Sequence, residues 1–253
     1  MSGFPRWTLD SGYYAACSAL KSQTNALDIA ANNIANVSTA GYRGQVPSFQ
    51  ALLVQTAGPQ MGGWERLVNE HAVLNGSRLD LAQGNLEHTG DPMNFAIEGP
   101  GFFAVQTKAG TMYTRNGSFQ VSASGQLLSA AGDPVLGVSG PITVPGGAVS
   151  ISPDGTVSVG GGVAGKLRIA EFASADALTP AGSSYYSAPK GAEKSATASS
   201  VRQGMLESSN VSPILAMVGL ISAQRSAEMI ERAISAFDST FNRIAADELP
   251  RTT

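Results

Sequence analysis

The sequence predicts an α+β protein: long N- and C-terminal helices packed as an antiparallel coiled-coil-like layer, with a central Gly-rich, hairpin-containing all-β domain between them in sequence. Three observations carry this. Near the C-terminus Leu220, Ala223, Ala227, Ile230, Ile234, Phe237, Phe241 and Ile244 alternate spacings of three and four, which puts one narrow apolar seam on a helix. Near the N-terminus Tyr13, Ala16, Leu20, Gln23, Leu27, Ala30, Ile34 and Val37 repeat the pattern with Gln23 as the one polar member. Between them, short apolar runs alternate with turn residues, the texture of an all-β unit with no helix to cover either seam.

Asp10 or Ser11 can cap the first helix, and Asn36 followed by Ser38-Thr39-Ala40-Gly41 ends it, because that cluster breaks helices and supplies a glycine for a left-handed turn. Residues 57–92 carry no clear pattern beyond a short helix expected around Trp64 to Leu74. From Phe95 the strands begin: Phe95–Glu98, then Gly101–Gln106, then Met112–Arg115 and Ser118–Val121 flanking Asn116-Gly117, a pair that suits a type I′ hairpin turn. Ser124-Gly125, Gly132-Asp133-Pro134 and Asp154-Gly155 punctuate the rest of the β region, and Lys166–Phe172 alternates like a half-buried strand. Residues 181–203 are rich in Ser, Ala and Gly. Ser212 offers an N-cap, Pro213 suits the first helical position, and Leu249-Pro250 stops a helix expected over 213–247, about 50 Å long at 1.5 Å per residue. The expected organisation is a discontinuous helical domain of residues 1–45 and 205–253, connecting segments 46–93 and 181–204, and a β domain 94–180.

Composition narrows function by exclusion. The 253 residues are 43% apolar, enough for a sizeable core, but only 14% charged against about a quarter in an average soluble domain. Such a surface suits a subunit covered by neighbours as well as a Gly-rich β protein. The net charge of -3, without any Lys/Arg cluster, argues against nucleic acid or an anionic membrane as partner. The single Cys17 cannot form an internal disulfide, and no run approaches the 18 or so apolar residues of a membrane span.

No constellation of catalytic, cofactor-binding or metal-ligating residues emerges. Gly160, Gly162 and Gly165 match a dinucleotide-binding glycine pattern, but a strand rather than a helix follows them, so they read as a hairpin loop. The two histidines, His71 and His88, lack a partner at metal spacing. With no nucleophile elbow, phosphate loop or His-Glu-x-x-His, neither an enzyme nor a small-molecule substrate is expected.

The run from Leu27 to Arg43, Leu-Asp-Ile-Ala-Ala-Asn-Asn-Ile-Ala-Asn-Val-Ser-Thr-Ala-Gly-Tyr-Arg, resembles the N-terminal signature of bacterial flagellar rod and hook proteins. Phe95 to Val105, Tyr113-Thr-Arg-Asn-Gly-Ser-Phe119 and Gly125-Gln-Leu-Leu128 resemble that family's β-domain blocks in order, and Gly204 to Pro213 with Ile221-Ser-Ala-Gln-Arg225 its C-terminal block. Ala227-Glu-Met-Ile-Glu231 and the length are most similar to the proximal-rod type. The resemblance implies a structural axial subunit, exported unfolded through the flagellar secretion apparatus without signal cleavage into the periplasmic rod. Its partners would be copies of itself, other rod proteins and that apparatus. The alternatives are a distal-rod or hook-type subunit, or a free binding module built on the β domain. The implied assembly interface is Leu20, Leu27, Ile34, Leu220, Ile230, Ile234, Phe237, Phe241 and Ile244. The implied signature residues are Asn32, Asn33, Asn36, Thr39, Gly41, Tyr42, Asn210, Gln224 and Arg225. Short amides such as Asn32, Asn33 and Asn36 near a helix end can bond free backbone groups or a neighbouring chain.

Overall fold

The computed structural model describes residues 6–50, 73–182 and 184–248. Among them are two long helices, α1 (Arg6–Ala35) and α2 (Pro213–Glu248), with strands throughout the rest. The chain divides into two compact units, one of Met1–Asn32, Val46–Ser77 and Ile214–Thr253, the other of Asn33–Gln45 and Arg78–Pro213.

The second unit is built around the strand Phe102–Thr107. It lies inside a six-stranded antiparallel sheet in the order Thr179–Pro180, Tyr185–Ser187, Gly110–Thr114, Phe102–Thr107, Ile169–Phe172, Glu193–Ser195. Its run Phe-Phe-Ala-Val is apolar without alternation because both faces are covered. Phe103 and Val105 join one cluster with Phe95, Phe119, Leu127 and Val201, while Phe102 and Ala104 join another with Tyr113, Phe172 and Tyr186. Edge-to-face ring pairs knit both, Phe103 to Phe119 at 5.0 Å and Phe102 to Phe172 at 5.7 Å between centroids.

Residues 181–204, read from sequence as a connection, contribute strands to this unit. Glu193–Ser195 closes the edge of the large sheet, and Ser200–Gln203 pairs with Phe95–Glu98, setting Val201 opposite Ile97. Immediately after, Met205–Glu207 pairs with Leu86–His88. These strands are hard to read because each has only three or four residues, and two of them, Glu193–Ser195 and Ser200–Gln203, hold one apolar residue between them, Val201.

Asn116-Gly117 is not the expected hairpin. The strands on either side pair elsewhere, Gly110–Thr114 with Phe102–Thr107 and Phe119–Val121 with Leu127–Ser129. Asn116 instead accepts the Ser118 N–H on its side chain at 3.0 Å, and Gly117 is needed because a Cβ there would stand 1.6 Å from the Phe95 carbonyl oxygen. Two-residue turn chemistry occurs at Gly160-Gly161, both at positive φ, between Thr156–Val159 and Gly162–Lys166. The short helix expected at Trp64–Leu74 falls outside the described residues, except that Val73–Leu79 is a strand.

The coiled-coil layer is also corrected. Among the described residues there is one long helix at each end of the chain and a large β-rich remainder, not a layer of helices with a buried seam. A coiled coil inserts its seam side chains into holes on the partner, yet of the described α2 seam only Ala227 is buried. Leu220, Ala223, Ile230 and Ile234 are half-covered, Phe237 is 37% exposed, and the α1 seam from Ala16 to Ile34 is half-covered throughout. Within their unit the helices do approach: Cys17, and behind it the Asp238 carboxylate, push the Tyr13 hydroxyl pKa up. Spacing fixes which side chains share a face; it does not fix how deeply that face is covered.

Phe103→Ala, which empties the middle of the larger cluster, is expected to lower the stability of the second unit by about 3–5 kcal/mol in urea titration followed by near-UV circular dichroism. A loss below about 1 kcal/mol would show that this cluster does not hold the unit together.

Candidate functional site

The residues after α1 make a tight descent. Asn36 and Val37 donate backbone N–H groups to the carbonyls of Asn33 and Ile34, Thr39 and Tyr42 repeat the three-residue step, and the Thr39 hydroxyl donates to Asn36 Oδ1 at 3.2 Å. Gly41 then takes φ +66° and rests on the backbone of Arg115, where a Cβ would come within 2.3 Å of the Arg115 carbonyl carbon. No other residue fits there without moving the chain. The Gly41 N–H donates to the Glu207 carbonyl at 2.7 Å, so the turn is tied to the C-terminal strand as well.

Two carboxamides fasten this segment. Asn33 accepts the Gln45 N–H at 2.9 Å and donates to the Gln45 carbonyl at 2.8 Å, imitating a neighbouring strand, while the buried Tyr42 donates its hydroxyl to Asn33 Oδ1 at 3.1 Å. Asn210 accepts the Gly44 N–H at 2.7 Å and donates to the carbonyls of Asp80 and Ala82 at 3.0 and 2.9 Å. Asn33, Gln45, Asp80 and Asn210 all belong to the second unit, and each stands at or beside a point where the chain leaves it. The clasp therefore gathers all four exits.

Beneath the clasp lies a charged cluster almost without solvent. Glu207 Oε1 is 2.6 Å from Arg43 Nη1, and Glu207 Oε2 accepts from Arg115 Nη1 at 3.1 Å. Gly84 N–H donates to Glu207 Oε1 at 2.8 Å, and Arg115 also donates to the carbonyls of Ile97 and Gly99 and lies 4.8 Å from the Phe102 ring centroid. Burial, then the neighbouring Arg43, pull the Arg115 pKa down to about 10 against the pull of Glu207. Tyr186, which accepts the Arg43 N–H at 2.9 Å, is pushed up to about 12 by burial.

The structure brings together six of the nine signature residues, Asn33, Asn36, Thr39, Gly41, Tyr42 and Asn210. Asn32, Gln224 and Arg225 instead lie exposed on helices, Gln224 in contact with Glu228 at 3.4 Å. Of the expected interface, Leu20, Leu27, Ile34, Leu220, Ile230 and Ile234 are half-buried, and the side chains of Phe241 and Ile244 are outside the described set. Sequence reasoning did not single out Arg43, Arg115 or Glu207. The available signal was three charges standing inside otherwise apolar or small-residue blocks of a charge-poor chain. Among the described residues no cluster of metal-ligating side chains occurs. An open groove beside Leu167 and Ile169 has its cations already paired, Lys166 with Asp154 and Arg168 with Glu193.

Residues 14–43 match the family model described as flagella basal body rod protein, 96–159 that of the flagellar hook protein FlgE/F/G D1 domain, and 202–247 that of the flagellar basal body rod FlgEFG protein C-terminal region. The chain is 32% identical to the flagellar basal-body rod protein FlgF of Escherichia coli (strain K12), over 93% of this chain and 97% of that protein. It is 32% identical to FlgF of Mesorhizobium japonicum, over 87% and 90%, and 33% identical to the flagellar basal-body rod protein FlgG of Agrobacterium fabrum, over 88% and 94%.

Two outcomes are expected. Asn210→Ala strands the Gly44 N–H and two carbonyls and should cost about 2–3 kcal/mol, with faster amide exchange at Gly44 as the local sign. On alkaline titration, stability should be full below pH 10 and fall as pH rises toward 12, because Tyr113, Tyr185 and Tyr186 titrate near 12 when folded and near 10 when unfolded. Arg115 works the other way, its burial penalty easing as it deprotonates, but it is one group against three. Constant stability from pH 9 to 12 would contradict the burial assigned to these tyrosines.

Proposed function

We propose that this chain, which belongs to the flagellar basal-body rod protein family and is a structural subunit of the flagellar rod, enters that rod through its terminal helices. The observation that supports the helical route is the surface of α2. Ile214, Leu215, Met217, Val218 and Ile221 are between 51% and 73% exposed, and Met229 is 62% exposed, while the seam from Leu220 to Ile234, Ala227 apart, is only half-covered. That much uncovered apolar side chain on one element supports its use in association. The partners are other flagellar rod proteins of the basal body; we assign Leu20, Leu27, Ile34, Leu220, Ile230, Ile234, Phe237, Phe241 and Ile244 to contacts with them. The chain would reach the periplasmic rod unfolded, through the flagellar export apparatus.

In this reading the asparagine clasp anchors the places where load carried by the helices enters the β-rich unit. The relatives named FlgF favour the proximal rod; the similarity to FlgG makes the distal rod the alternative. Expression in otherwise identical strains lacking their own FlgF or FlgG separates the two, the expected result being restored swimming in the first strain only.

Ile234→Asp tests the helical route. A carboxylate at a half-covered position can stay hydrated in the free subunit, but an assembled seam would have to desolvate it at a cost of several kcal/mol. The variant is expected to be soluble with an intact second unit and absent from isolated basal bodies, whereas Arg232→Ala, 81% exposed at its side chain, leaves assembly near normal. Normal rods and motility in the Ile234→Asp strain would remove this face from the assembly surface.

A further inference from the structure

Arg43, Arg115 and Glu207 are respectively 0%, 1% and 1% exposed, so two guanidinium groups and one carboxylate leave a net positive charge inside the second unit. The compensation is incomplete in geometry too. Among the described residues Arg43 Nε and Nη2 and Arg115 Nε make no hydrogen bond, and the short Arg43 to Glu207 contact is an ion pair rather than a directed N–H bond. A buried cluster of this kind adds little to stability, since desolvating the ions offsets most of their attraction.

Its consequence for the order of events is larger. Gly41 packs directly on the Arg115 backbone, so the contact that seats the N-terminal turn also drives Arg43 and Arg115 together in a low-dielectric interior. Without Glu207 that contact brings together two unpaired like charges. Glu207 arrives from 92 positions beyond Arg115, on the strand Met205–Glu207, and the same residue receives Gly41 N–H on its carbonyl and Gly84 N–H on its carboxylate. The contact between Gly41 and Arg115 is therefore unfavourable until Glu207 joins it.

We propose that the Arg43–Glu207–Arg115 cluster is a kinetic brake on folding, holding the second unit open until the segment carrying Glu207 has joined it. The folding transition state then contains Glu207, and a chain whose residues up to 207 are not all free together stays unfolded. Resting on the reading that this subunit is exported as an unfolded chain, the brake keeps it threadable until export is complete.

Stopped-flow refolding from urea with the purified full-length chain tests the kinetics. Glu207→Gln keeps the shape and removes the charge; it is expected to refold about tenfold or more slowly with its unfolding rate little changed. Arg43→Met leaves one matched pair, and Arg43→Met/Arg115→Met/Glu207→Leu leaves an apolar cluster. Both are expected to refold faster than the unmodified chain, the triple variant by about tenfold or more at an equal or higher urea midpoint. If the triple variant does not fold, Arg43→Met carries the test. Refolding of Arg43→Met at or below the unmodified rate, or an effect of Glu207→Gln confined to faster unfolding, overturns the brake.

Export of the same variants is then measured in a flagellated host and in its mutant lacking the export apparatus. The fast-folding variants should be exported less than the unmodified chain, and equal export overturns the brake's role there. If the unmodified chain shows no dependence on the apparatus, the export reading fails, while the refolding rates still decide the brake.

Discussion

Two guanidinium groups buried around a single carboxylate set the terms on which the second unit exists. Glu207 is held by Gly84, Arg43 and Arg115, and its backbone holds Gly41, so the N-terminal turn, the Arg115 corner and the C-terminal strand are defined by reference to one residue. The surrounding hydrogen bonds serve the same cluster. Tyr186 caps the Arg43 backbone, Ile97 and Gly99 take the Arg115 donors, and Phe102 offers a ring face to its guanidinium. Removing Glu207 strands both guanidinium groups, which is why such a cluster is costly to break at its carboxylate though weak as a net stabiliser.

The asparagine clasp lies over this cluster and has a different physical character. Asn33 and Asn210 are uncharged, and their carboxamides satisfy backbone groups that no strand neighbour reaches. A carboxamide that donates and accepts at once can replace a strand, as Asn33 does against Gln45. Alanine, serine or aspartate offers at most part of that pairing. The clasp thus fixes chain direction at each exit, while the charged cluster fixes when the parts come together.

How much of this was legible depends on the range of the interaction. Phe102–Thr107 could be read because burial on both faces leaves a local mark, an unbroken apolar run. Both terminal helices could be read because spacing is local, but how far each seam is covered depends on what lies opposite, and there the expected coiled-coil layer failed. Asn116-Gly117 misled for a similar reason: Gly117 answers a close approach by Phe95, 22 positions earlier in sequence (117 − 95), and not the φ preference of a turn. The clasp asparagines were reached only through family resemblance. The charged cluster was not reached at all, since nothing near Arg43 or Arg115 shows that a distant glutamate completes them.

A subunit of a rotating shaft has to reconcile two demands that pull in opposite directions. On the proposed export route it stays extended while it travels, which favours a fold closed by distant contacts. It must resist load once in place, which favours a core that does not yield locally. Long-range closure meets both. Many of the second unit's short strands pair with a neighbour in sequence, as Phe102–Thr107 does with Gly110–Thr114, but the unit is closed by strands far along the chain, as Ser200–Gln203 on Phe95–Glu98. Such a unit is complete only when its distant strands have met. The terminal helices obey the other logic: their hydrogen bonds are local and, Ala227 apart, their described seams stay half-covered or exposed, which is the surface the proposed route into the rod would use.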